Sequence, residues 1–176
     1  MKNFCISLSI IGIIILTIVI GCFNAGGQTD YLRIHVRANS DSVEDQSVKY
    51  EVRDEIVTYL APYVAECDTK QKAIEMLNAQ SQNIQNRVNK FLRRRGFDYG
   101  CKIRIDNEYF PTRVYDGVTL EEGCYDAVIV ELGSGKGNNW WCIVYPPLCF
   151  TKGEGTVKYR SKIEEIIEKF LKDNKS

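Results

Sequence analysis

Residues 133–150 read GSGKGNNWWCIVYPPLCF, and how this stretch folds decides how the rest of the chain is organised. Its first half is a loop of small residues around Lys136. Its second half is an apolar run in which Trp140, Cys142 and Val144 alternate with Trp141, Ile143 and Tyr145, the pattern of a strand covered on both faces. Pro146 and Pro147 end that strand, because proline lacks the N–H that a sheet ladder needs; the turn carries Cys149 back towards the edge the chain has just left. Such a segment is expected to be either the keystone of the fold or its contact surface.

Beyond it, a glycine-spaced connection leads to a last helix with an apolar stripe of Ile163, Ile166, Ile167, Phe170 and Leu171. Before it, the period is two. Strands are expected from about Tyr99 to Ile105, with a turn starting at Asp106-Asn107, then from Thr112 to Tyr115 and from Tyr125 to Leu132. Further upstream the period changes to that of helices. Val48, Val52, Ile56, Leu60 and Val64 recur every four residues, which predicts a helix over 43–64 opened by a capping box at Ser42 and Asp45 or at Asp41 and Glu44. Pro62 should end or bend it. A second helix starts at Asp68-Thr69 and runs to about Arg95, with Gly96 as its C-terminal cap; Arg93, Arg94 and Arg95 read as a solvated, dipole-matched helix end.

The domain opens on a strand, Tyr31 to Arg37, in which Leu32, Ile34 and Val36 alternate with Arg33, His35 and Arg37, so one face should be buried and the other basic and exposed. The order strand, helix, helix, strands, helix predicts an α+β fold. It would have a mainly antiparallel sheet, packed by two long helices after the first strand and by a C-terminal helix.

Residues 1–23 are a signal peptide or a membrane anchor: Lys2 precedes about 20 apolar residues, enough to span a bilayer. The small residue before Cys22 also fits a lipoprotein processing site, so cleaved, lipidated and anchored forms stay open. Residues 24–30, NAGGQTD, form a flexible tether, and 31–176 a single domain. All three N-terminal fates place that domain outside the cytoplasm, with the membrane as a partner if the segment is kept or lipidated. With 23 basic and 23 acidic residues there is no excess of cations to grip phosphates, and nucleic acid is not expected as a partner.

Five cysteines follow Cys22, an odd number, so a complete disulfide framework is not indicated. Cys142 with Cys149 is the preferred pair, because the Pro-Pro turn can bring their Cβ atoms together; two buried free thiols are the alternative. A metal site is not expected, with no CxxC pair and one histidine, and neither is a cofactor. Gly133 to Gly137 departs from a nucleotide-binding loop, since glycine follows the lysine and a strand follows the loop. Cys142 and His35 are the one thiol and imidazole that suggest nucleophilic catalysis, yet a thiol in mid-strand is inert. Trp140 or Trp141, though not both, could offer a ring to a sugar or peptide. A secreted wall- or carbohydrate-binding module and a cysteine-dependent hydrolase are therefore the alternatives carried forward.

Two segments together carry a family resemblance. Leu32 to Ser42 (LRIHVRANSDS), continuing through Glu44-Asp45-Gln46 and Lys49 to Val52-Arg53-Asp54, resembles the N-terminal signature of the stage II sporulation protein R family. Gly135-Lys136-Gly137, Asn139-Trp140-Trp141-Cys142 and Pro146 to Phe150 are similar to its second signature. The resemblance implies an exported signalling protein of endospore formation. Made in the forespore, it would pass into the space between the two septal membranes. There it would activate the membrane-embedded aspartic protease of the mother cell that processes pro-sigma-E. It implies no catalytic residues, and the chain is expected not to be an enzyme. Arg33, His35, Asn39, Asp41, Lys136, Asn139 and Trp140 are the candidate partner-binding residues, because these polar and aromatic groups at the two signatures lack an evident core role.

Overall fold

The computed structural model describes residues 30–115, 118–151 and 158–174. The expected signal or anchor, nearly all of the tether and most of the glycine-spaced connection lie outside the described residues. Among the described residues no helix is long and apolar enough to cross a membrane.

The chain runs β1 (Leu32–Arg37), α1 (Val43–Val64), α2 (Lys70–Arg94), β2 (Cys101–Phe110), β3 (Arg113–Tyr115), β4 (Val118–Leu120), β5 (Gly123–Leu132), β6 (Asn139–Tyr145), a 3-10 turn (Leu148–Phe150) and α3 (Arg160–Asp173). This is the α+β arrangement expected, with two long helices directly after the first strand. The chain divides into two compact units, and among the described residues the second is 107–125.

The main unit is built on a four-stranded sheet of order β2-β5-β1-β6. β1 pairs parallel with β5 and antiparallel with β6, so the sheet is mixed. This position corrects the reading of β1 as half-buried. An inner strand has a neighbour on each side, and here both of its faces are also covered: Arg33 is 0 % exposed and His35 5 %. The basic outer face predicted from alternation does not exist as a surface.

Leu32, Ile34 and Val36 of β1 and Val128, Val130 and Leu132 of β5 share one core with the apolar stripes of the helices. In α1 these are Val48, Val52, Ile56, Leu60 and Val64, the residues that the four-residue repeat singled out. Each such aliphatic side chain contributes roughly 1.5–3 kcal/mol when taken out of water. Ser42 caps α1 by accepting from the Asp45 N–H at 3.1 Å, and Pro62 lies within its last turn. α2 begins at the cap Thr69 and ends in a Schellman turn: Gly96 (φ 86°) donates to the Arg93 carbonyl and Phe97 to that of Leu92, both at 3.1 Å. The rim between the helices is ionic. Arg87 meets Glu55 at 2.8 Å and Arg95 meets Glu51 at 2.6 Å, so the arginine triplet is partly paired rather than wholly solvated.

β2 is an edge strand, and α2 blunts it. Asn89 accepts from the Cys101 N–H at 2.7 Å and Gln85 from that of Ile103 at 3.1 Å, leaving these two donors closed to a foreign strand. The turn expected at Asp106-Asn107 is absent, since β2 continues to Phe110. Asp and Asn favour turns only where the chain has no stronger option, and a long pairing partner, the ten-residue β5, overrides them here. In the second unit β3 pairs antiparallel with β4, a strand the sequence reading missed because three residues carry no periodicity. Phe110 and Tyr125 meet edge-on at 6.0 Å within that unit.

Candidate functional site

The site grows out of the turn between β1 and α1, Ala38 to Ser42, which lies against the loop Gly133 to Asn138. Asn39 is bonded at three points. Its Oδ1 accepts the Ser134 N–H at 2.9 Å, its carbonyl accepts the Ser134 hydroxyl at 2.6 Å, and its Nδ2 donates to Asp45 at 2.9 Å. Asp41 Oδ1 accepts the Asn138 N–H at 2.6 Å, and Gly137 N–H donates to the Ala38 carbonyl at 2.9 Å. Lys49, about two turns into α1 and 1 % exposed, donates to the Asn138 carbonyl at 3.0 Å and to Gln46 Oε1 at 2.6 Å. The turn thus binds the loop almost entirely through the loop's backbone.

Two glycines make that approach feasible. A Cβ on Gly137 would lie 2.2 Å from the Ser40 carbonyl oxygen, and one on Gly133, whose φ is +55°, would lie 2.3 Å from Asn39 Oδ1. At Gly137 no other residue fits without moving backbone, and at Gly133 a side chain would displace the Asn39 amide and sit on a positive-φ backbone that favours glycine. The glycines that suggested a phosphate loop are therefore contact points for the β1–α1 turn.

Asp45 is the buried hub. Its carboxylate accepts from Ser40 Oγ at 2.5 Å, from Asn39 and from the Tyr99 hydroxyl. Burial acts to raise its pKa, but the hydrogen bonds from Ser40, Tyr99 and Asn39 outweigh it and hold the carboxyl below the ordinary carboxylate value. Burial and the Asp45 carboxylate together push the Tyr99 phenol up. Burial lowers the Lys49 ammonium, against the nearby charge of Asp41. Asp45, Lys49 and Tyr99 were not among the predicted site residues. Asp45 and Lys49 stand within the first signature, whereas a lone Tyr99 at the start of a strand carries no sequence signal.

The predicted residues fall into three groups. Arg33 and His35 are inside the protein. Burial lowers the His35 pKa to about 4, partly opposed by a hydrogen bond with Asn139, so the imidazole is neutral near pH 7; its ring lies 5.4 Å from that of Trp141. Asn39 and Asp41 are committed to the loop. Lys136 and Asn139 are exposed, and Trp140 is half-buried with the Arg53 guanidinium 5.5 Å from its ring. The clasp thus brings Asn39, Asp41 and the loop together, and sets Arg33 and His35 apart from them.

Cys142 and Cys149 form a disulfide, with Cα atoms 5.9 Å apart, across the turn that contains the cis Tyr145–Pro146 bond. Register pairs Cys142 with Ile34 and His35 with Trp141, placing sulfur and imidazole on opposite faces of the sheet. These two residues therefore cannot work as a nucleophile and base. The free thiols among the described residues, Cys67 and Cys101, are buried, and burial pushes Cys101 up to about 12. No group of three or more His, Cys, Asp or Glu among the described residues is placed to hold a metal ion.

A family model described as stage II sporulation protein R matches residues 28–155. Among curated proteins, the stage II sporulation protein R of Bacillus subtilis (strain 168) is 29 % identical over 147 residues, which covers 81 % of this chain and 66 % of that protein. The chain thus spans just under two thirds of that relative's length. No solved structure matches.

Proposed function

The chain belongs to the stage II sporulation protein R family, and from this premise we propose that it is an exported signal of endospore formation that activates the membrane-embedded aspartic protease processing pro-sigma-E. It acts by contact and not by catalysis. It leaves the forespore through its N-terminal apolar segment and works in the space between the septal membranes. Export is supported by the sequence of residues 1–23, whose only charged side chain is that of Lys2.

One observation carries the contact reading. The loop 134–139 is held by its backbone at Ser134, Gly137 and Asn138, while Lys136 and Asn139 stay exposed. A loop ordered before it meets its partner loses less conformational entropy on binding, which favours affinity. The contact surface is accordingly Lys136, Asn139 and the edge of Trp140. Asn39 and Asp41 act behind it, and Arg33 and His35 act within the sheet. Co-expression with the protease and pro-sigma-E in a host that does not sporulate tests this directly: cleavage is expected with the wild-type chain and not without it. Cleavage that is independent of the chain refutes the reading.

A further inference from the structure

Cys124, the second residue of β5, is 5 % exposed and disulfide-bonded. The other described cysteines are accounted for: Cys142 bonds Cys149, and Cys67 and Cys101 are free thiols. Within one chain of seven cysteines, this leaves Cys5 and Cys22 as partners for Cys124.

Strand register brings the chain that follows Cys22 to the same place. β1 and β5 run parallel with Arg33 opposite Ala127. Asp30 and Cys124 each stand three residues before those partners, so the tether enters the sheet at the end where Cys124 stands. Cys22 precedes Asp30 by eight residues, a stretch that can extend up to roughly 26–29 Å. A disulfide needs Cα atoms about 4.4–6.8 Å apart, well within that reach. Cys5 is seventeen residues further back, at the head of the apolar stretch. In a spanning helix that interval is about 25 Å of bilayer, which puts Cys5 on the far side from the domain and Cys22 on the near side.

We propose that Cys22 and Cys124 form a disulfide that fastens the N-terminal apolar segment to the domain. The bond forms on the outer side of the membrane, so it rests on the export part of the proposed function. There the two thiols give up two protons and two electrons, which reduce the disulfide of a dithiol–disulfide oxidant to two thiols. Two consequences follow from the chemistry. The Cys22 sulfur is not available for a lipid thioether, which leaves the cleaved and anchored forms of the three. A cut near Ala25 breaks the backbone and not the disulfide, so even the cleaved segment stays attached to the domain and holds it to a membrane surface.

The test uses the purified full chain in detergent, oxidised against glutathione disulfide, blocked with an alkylating agent in denaturant and cut with pepsin at acid pH for mass spectrometry. A Cys22–Cys124 linked peptide is expected within the monomer, two hydrogens lighter than its parts and lost on reduction. Cys22→Ser should raise alkylation of Cys124 at least about tenfold. Alkylation of Cys124 in the wild type, its linkage to any other cysteine, or a reducible dimer joined through it overturns the proposal. The same map of chain exported by a bacterial host should show Cys22 without lipid, and a diacylglyceryl thioether on Cys22 also overturns it. Failure of the wild-type chain in the co-expression assay removes the proposed function and leaves the disulfide.

Discussion

Asn39 grips Ser134 from two sides: its side-chain oxygen accepts the Ser134 N–H at 2.9 Å and its carbonyl accepts the Ser134 hydroxyl at 2.6 Å. The two residues are 95 positions apart in sequence, so this pair converts a local turn into a long-range tie. The tie explains why the two signatures of the chain go together: one holds the backbone of the other.

Asn39→Ala removes the acceptor for Ser134 and a donor to the buried Asp45 carboxylate. A loss of about 1–3 kcal/mol in unfolding free energy is expected, mostly from the polar groups left unsatisfied. Chemical denaturation of the variant against wild type checks it, and activation in the co-expression assay should fall along with it.

Gly137→Ala and Gly96→Ala separate steric contact from backbone strain. Gly96 has φ +86° with open space around it, so an added methyl should cost about 1–2 kcal/mol from its left-handed backbone alone. Gly137 has no such φ, but its Cβ would enter the Ser40 carbonyl, and about 1–3 kcal/mol or more is expected. The distinguishing readout is the loop: amide exchange at Ser134 to Asn138 should accelerate in Gly137→Ala and stay unchanged in Gly96→Ala.

His35 makes stability depend on pH. Its pKa is about 4 in the folded protein, from burial, against an ordinary 6.5. Between these values the unfolded chain binds the proton and the folded chain does not. Stability is therefore full above about pH 6.5 and falls as the pH drops towards 4, by up to roughly 3 kcal/mol. Urea unfolding at pH 7 and pH 4.5 should show this loss in the wild type, and His35→Gln should remove that share of it.

The Cys142–Cys149 bond closes a short loop, seven residues in sequence separation. On the chain-entropy account it stabilises the fold by about 2 kcal/mol, mainly by restricting the unfolded chain. The double variant Cys142→Ser with Cys149→Ser should unfold at a correspondingly lower denaturant concentration. The comparison is made under oxidising conditions, because a dithiol reductant would also open the disulfide of Cys124.

Much of the architecture was legible from residues near one another in the chain. The repeat Val48, Val52, Ile56, Leu60, Val64 and a cap at Ser42 or Asp41 marked out α1, of which the structure uses Ser42, and Thr69 and Gly96 bracketed α2. The strand β6 and its proline stop were equally plain. The candidate site was only partly legible. Lys136 and Asn139 are exposed as a contact surface requires, while Asn39 and Asp41 turned out to face the loop, and Arg33 and His35 the interior.

The sequence by itself determined the periodic elements, their order and their caps, because these depend on interactions within a few residues: side-chain periodicity, a hydroxyl reaching an N–H three residues on, a glycine where φ must be positive. Only the tertiary structure decided what covers each face of the strands. β1 alternates like a half-exposed strand, yet it lies between β5 and β6 with both faces covered, so Arg33 and His35 are buried. The roles of Asn39, Asp41 and Lys49 were set the same way, by a loop about a hundred residues away whose backbone groups needed partners. Alternation along a strand states which side chains share a face. What covers that face is a property of strand order, which no local pattern contains.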